Sequence, residues 1–149
     1  MKKFAFSLNK VLDYKEQVEN SIRNEYSQAA KLVADQETVV QNMNETHRKY
    51  CEELEDGKRN GCTIQFIQLY ETYLSTLQVK IEEEKDILVL LKEKEEKKRQ
   101  ELIAAKVETS SIEKLKEKKK AQYDKELQKS EEQMIEEFVS NLSASFNHA

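Results

Sequence analysis

Proline and tryptophan are absent from this 149-residue chain, and glycine occurs only at Gly57 and Gly61. The residue that stops a helix outright is therefore missing, and the next most disruptive is confined to one place. Aromatic residues are scarce, at 7% against 36% charged, so the chain has too few large apolar side chains for a broad globular core. Such a composition leaves two outlets, disorder or a long helix pairing along a narrow seam. Disordered chains are usually enriched in glycine and proline, which favours the seam. Glu, Lys, Gln, Leu and Ala, all good helix formers, dominate the sequence.

No stretch approaches the roughly 20 consecutive apolar residues of a membrane span. The opening "MKKFAFSLNKVLDYKEQ" has two lysines but no sustained apolar run and no small-residue cleavage site, so it does not read as a signal peptide. The expected compartment is the cytosol, with Cys51 and Cys62 reduced although they flank the glycines. Two cysteines and two histidines without ligand-like spacing predict no metal site. The net charge of -4 conceals a reversal: "KLKEKKK", from Lys114 to Lys120, is basic, and "EEQMIEEF", from Glu131 to Phe138, is acidic. Arginine is scarce and no aromatics interleave the basic run, which argues against nucleic-acid binding. The bland reading of such a run is a solvated helix face.

Apolar residues recur at Phe4, Leu8, Val11, Val18, Ile22, Tyr26, Ala29, Val33, Val40, Met43, Tyr50 and Leu54, mostly in steps of three and four. Val18, Ile22 and Tyr26 make two four-residue steps in succession, which reads as a stutter. Lys15, Gln36 and His47 fall on this seam and weaken it. A second seam runs through Ile67, Tyr70, Leu74, Leu77, Ile81, Leu88, Leu91, Leu102, Ala105 and Ile112. Within it, "KEKEEKKR" from Lys92 to Arg99 has no large apolar residue and must rely on aliphatic stems and ion pairs. Thr109, Ser110 and Ser111 are poor helix residues, and a kink or frayed turn is expected there.

Both glycines lie between the two seams, and glycine supplies the positive φ that ends a helix. The reading is all-α: two long helices forming an antiparallel coiled-coil hairpin with a C-terminal overhang. The expected bounds are helix 1 over about 4–55, a bend at 56–62, helix 2 over about 63–142 with Thr63 as its cap, and a frayed tail at 143–149, all in a single rod. The arms would measure about 75 Å and about 120 Å. Pairing about residues 57–61 places Phe4 near residue 115. Leu127, Met134, Ile135, Phe138, Val139 and Leu142 then project past the pairing as a partner surface.

At this point the residues resemble the FliJ family of flagellar type III export proteins. "FAFSLNKVLDYKEQVENSIRNEYSQA" is similar to the family's start, with Phe4, Phe6, Leu8, Val11 and Leu12 in its pattern. "FIQLYETYLSTLQVKI" resembles the start of its second helix, and "SSIEKLKEKKKAQYDKELQKSEEQMIEEF" its C-terminal part. One departure is Ser7, where a basic residue often follows the second Phe. The resemblance implies a two-helix hairpin similar to the γ stalk of rotary ATP synthases. It implies a non-enzymatic export component, without cofactors, in the cytoplasm and peripheral at the cytoplasmic face of the flagellar base. Such a protein binds the hexameric flagellar export ATPase with the end holding both termini and promotes its assembly and activity. It also contacts the cytoplasmic domain of the export gate membrane protein and the export chaperones, with no nucleic acid and no direct membrane insertion.

Two candidate surfaces follow. Lys116, Lys120 and Tyr123 share one side of helix 2 with Lys119 adjoining, and Leu115, Phe4 and Leu8 stand behind them; this collar is the expected ATPase contact. Tyr73 sits one position off the seam near the bend, and Phe66, Tyr73 and Leu77 form the expected export-gate contact, against the simpler reading of a wider seam. No residue is a candidate for catalysis, cofactor binding or metal binding. The competing functional reading is a generic cytoplasmic structural or tethering coiled coil, expected as a parallel dimer.

Overall fold

The computed structural model describes residues 2–148. Two helices account for nearly all of them: α1, Asn9–Asn60, and α2, Ile64–Asn147. They pack against each other in an all-α hairpin, with no strand among the described residues. Tertiary packing divides the chain into two units. A terminal unit joins the segment up to Glu19 with the segment from Ala104 onward, and a bend unit spans Asn20–Ile103.

The bend is tighter than the sequence suggests. Helix α1 continues through Asp56 and Gly57 to Asn60, so only Gly61–Thr63 lie between the helices. Among the described residues Gly61 alone takes positive φ, at 86°, which is costly for residues with a Cβ. Lys58 and Arg59 place positive charge in the last turn of α1, where the carbonyl ends of the peptide dipoles gather. Thr63 caps α2 as expected, its Oγ1 accepting from the Phe66 backbone N–H at 3.1 Å. Gly57 has a different job from the one expected of it. It is helical, and a Cβ there would stand 2.6 Å from Cε1 of Phe66. Its missing side chain makes room for an aromatic ring.

The buried stripe of α1 runs through Leu12, Lys15, Ile22, Tyr26, Ala29, Val33, Gln36, Val40, Met43, His47, Tyr50 and Leu54. This alternates steps of three and four once Val18 and Glu19, both half-buried, share one position. The stutter expected at Val18–Tyr26 is thereby absorbed. Leu12 is 5% exposed, whereas Leu8 and Val11, expected on the seam, stand at 38% and 41%. The helix starts at Asn9 rather than near residue 4, so the register of its first turn could not be set from Phe4.

In α2 the stripe includes the expected apolar residues and also Glu84, Glu95, Lys98, Thr109 and Lys116. Most of these polar members are partnered. Gln36 Nε2 donates to the Glu84 carbonyl at 3.0 Å and to its carboxylate. Lys98 reaches Glu25 at 2.8 Å and Glu101 at 3.2 Å, and these two carboxylates hold its pKa above the usual lysine value. Lys15 reaches Glu108 at 2.8 Å, with the same effect. The kink expected at Thr109–Ser111 is absent: the helix is continuous, and within it the Thr109 and Ser111 hydroxyls donate to the carbonyls of Ala105 and Val107. Nor does α2 stop near 142, since helix extends to Asn147. Residues 1 and 149, which the expected rod and frayed tail include, lie outside the described residues.

Candidate functional site

In the terminal unit, Lys2–Phe6 is not helical. Phe6 O accepts from Asn9 N–H at 3.1 Å, closing the turn into α1. A non-helical segment covers more length per residue than a helix does. It therefore reaches further along α2 than the expected pairing, and Phe4 meets Tyr123 instead of residue 115. The two rings lie 5.6 Å apart at 52°. The Tyr123 hydroxyl donates to the Lys2 carbonyl. Lys120 Nζ sits 5.3 Å from the Phe4 ring centroid and 5.1 Å from that of Tyr123, and pairs with Asp124 at 2.9 Å. Lys116 donates to Asn9 Oδ1 at 3.0 Å.

Lys116, Lys120 and Tyr123 thus do share a side of α2, and Phe4 joins them. Lys119 is exposed, with no ion pair or hydrogen bond among the described residues, and lines a cleft of about 280 Å³ with Phe4, Phe6, Gln122, Tyr123 and Glu126. Leu8 and Leu115 are surface residues rather than a buried backing. Phe6 was missed because helical spacing does not register a non-helical segment, and Gln122 and Glu126, on α2, because no apolar rhythm marks them.

In the bend unit, Tyr50 contacts both Tyr70 and Tyr73, with ring centroids 5.9 Å and 4.9 Å away, and Phe66 stacks on Tyr70 at 4.4 Å. Tyr70 donates its hydroxyl to Glu53 at 2.9 Å, which raises its pKa above the ordinary tyrosine value. Tyr73 is 44% exposed and borders an apolar cleft of about 290 Å³ with Tyr50, Leu69 and Tyr70. Phe66 is half-buried over Gly57. Leu77, expected on the same surface, is 7% exposed and belongs to the seam. Leu69, off the seam like Tyr73, is an exposed apolar neighbour not included in the expected contact.

Cys51 and Cys62 are free thiols; Cys51 Sγ lies 3.6 Å from His47 Nδ1 within one helix face. Among the described residues no cluster of three or more His, Cys, Asp or Glu could hold a metal, and no helix is long and apolar enough to cross a membrane.

The described residues define an all-α two-helix hairpin, with ring and polar contacts between α2 and a non-helical N-terminal segment. Residues 4–146 match the family model described as flagellar FliJ protein, and the chain belongs to the FliJ family. That places it among the components of flagellar protein export. No curated protein and no solved structure matches the chain.

Proposed function

We propose that this chain is a single coiled-coil stalk, without catalysis of its own, that seats in the hexameric flagellar export ATPase and promotes its assembly and activity. The observation that carries this reading is the gathering of Phe4, Lys116, Lys120 and Tyr123 on one side of the terminal unit, with unpaired Lys119 beside them. Charge pairs at the rim of an interface mainly speed and orient docking. A stalk that binds the assembled hexamer more tightly than the monomer shifts assembly without chemistry. The chain would work in the cytoplasm at the flagellar base.

The test is the ATPase rate with wild-type chain and with Lys116, Lys119 and Lys120 changed to Glu. Reversal is expected to weaken docking by roughly tenfold at low salt. Lys119→Glu alone isolates the unpaired cation, since reversing Lys120 also repels Asp124. Full stimulation by the triple variant overturns the collar's role.

The same reading assigns the export gate's cytoplasmic domain to Tyr73 and Leu69, with Phe66 behind them, and leaves the export chaperones as further partners. Tyr73→Ala should weaken gate binding by roughly fivefold or more, as truncation of an exposed aromatic anchor does. Unchanged binding with unchanged helicity removes the gate from this surface.

A further inference from the structure

We infer that the segment Lys2–Phe6 and the lysines of α2 form one composite cationic surface, assembled by Phe4 as a positioning residue, that receives an acidic segment of a partner protein. The inference rests on the docking reading above only for which partner supplies that segment.

The basic run of α2 is weaker alone than its sequence suggests. Lys120 is paired with Asp124, and Lys116 is turned to Asn9. Lys119 is left facing the cleft without a partner. The bound segment makes up the deficit. Lys2 and Lys3 are exposed and form no ion pair among the described residues. Their position depends on few contacts: the Tyr123 hydroxyl on the Lys2 carbonyl, and the Phe4 ring against Tyr123 and Lys120. The segment has no helical hydrogen bonds of its own, so these contacts must offset the entropy of ordering it. Phe4 therefore decides whether Lys2 and Lys3 are held to α2 at Tyr123 or are spread over a mobile chain.

The fitting ligand is a short run of carboxylates. Glu113, Glu117 and Glu126 interrupt the lysines along α2, and Glu126 lines the cleft itself. A short acidic segment can be accommodated between them, whereas a continuous phosphate backbone would run into them. The lysines are point charges without the planar fork that reads phosphates bidentately.

The experiment measures binding of a short poly-L-glutamate peptide to the full chain at low salt. Lys2→Gln with Lys3→Gln should weaken it roughly three- to fivefold, and Phe4→Ala should weaken it by a similar factor. The combined variant should bind no more weakly than either, because Phe4 acts only through those lysines. Phe4→Tyr should bind as wild type. Additive losses, or an unaffected Phe4→Ala, overturn the proposal. If Phe4→Ala also lowers helicity, Tyr123→Phe decides: it removes only the hydroxyl bond to Lys2, and unchanged binding rejects the composite surface. Tighter binding of an oligonucleotide than of poly-L-glutamate assigns the surface to nucleic acid and rejects the acidic protein segment. If the coupling is found but wild-type chain leaves the export ATPase unstimulated, the ATPase reading fails and this surface stands.

Discussion

The bend unit and the terminal unit use the same two helices differently. In the bend unit, Ala29, Val33, Val40, Leu54, Leu77, Ile81 and Leu102 are buried, and the aromatic group of Tyr50, Phe66, Tyr70 and Tyr73 lies beside the turn. In the terminal unit the buried residues among those described are Leu12, Ala105 and Thr109. There the helices are held by Lys15–Glu108, Lys116–Asn9 and the ring contacts of Phe4. Apolar burial is non-directional and contributes stability in proportion to area, whereas exposed polar pairs contribute little but fix position. The difference places most of the buried apolar packing in the bend unit and leaves the terminal unit to rely more on exposed polar and ring contacts.

The sharpest way to break this comparison is to remove core volume. Ile81 is the most completely buried side chain, at 1% exposure. Ile81→Ala should cost about 2–4 kcal/mol in denaturant unfolding, from lost transfer energy plus the cavity left behind. Equal or smaller loss than Leu12→Ala produces would show that cohesion is not concentrated near the bend.

A smaller effect is expected at the polar seam position of the same unit. Gln36→Ala leaves the half-buried Glu84 without its partner and should cost about 1 kcal/mol. Changing Gln36 and Glu84 together to Leu should recover that stability while loosening register, seen as alternative pairings between spin labels on the two helices. Unchanged register in the double variant would mean that other contacts set it.

The smallest effect is titratable. Glu96 accepts from Arg99 at 2.9 Å and from Gln100 at 2.9 Å, which lowers its pKa from 4.5 to about 2. A depressed folded-state pKa contributes stability above the unfolded value and loses it as pH falls from there through about 2. Thermal unfolding of wild type and Glu96→Gln should therefore converge over that acid window, with the gap at neutral pH small because the site is exposed. A gap that persists below pH 2 would reject the assignment.

Much of the fold was legible because a helix seam is a local, periodic signal. Steps of three and four announce it whatever the partner, and a chain with two glycines and no proline permits one hairpin turn. Most of the apolar residues read as seam are buried or half-buried, from Ile22 to Leu54 in α1 and from Ile67 to Ile112 in α2. Polar seam members were legible only where an apolar rhythm ran through them. Gln36 and His47 were found this way, Lys98 was expected only as one of the ion-pairing residues of Lys92–Arg99, and Glu84 and Thr109 were not found. Of the candidate sites, the side of α2 carrying Lys116, Lys120 and Tyr123 followed from spacing alone.

By itself, then, the sequence determined two helices, their facing stripes and the place of the turn, because each depends on neighbours within a few residues. Tertiary structure decided the rest. Gly57 serves the Phe66 ring rather than the turn, and Leu77 is core rather than surface. Phe4 meets Tyr123, because a non-helical segment covers more length per residue than the helix beside it. Those facts depend on distances between residues far apart in the chain, and no local periodicity encodes them.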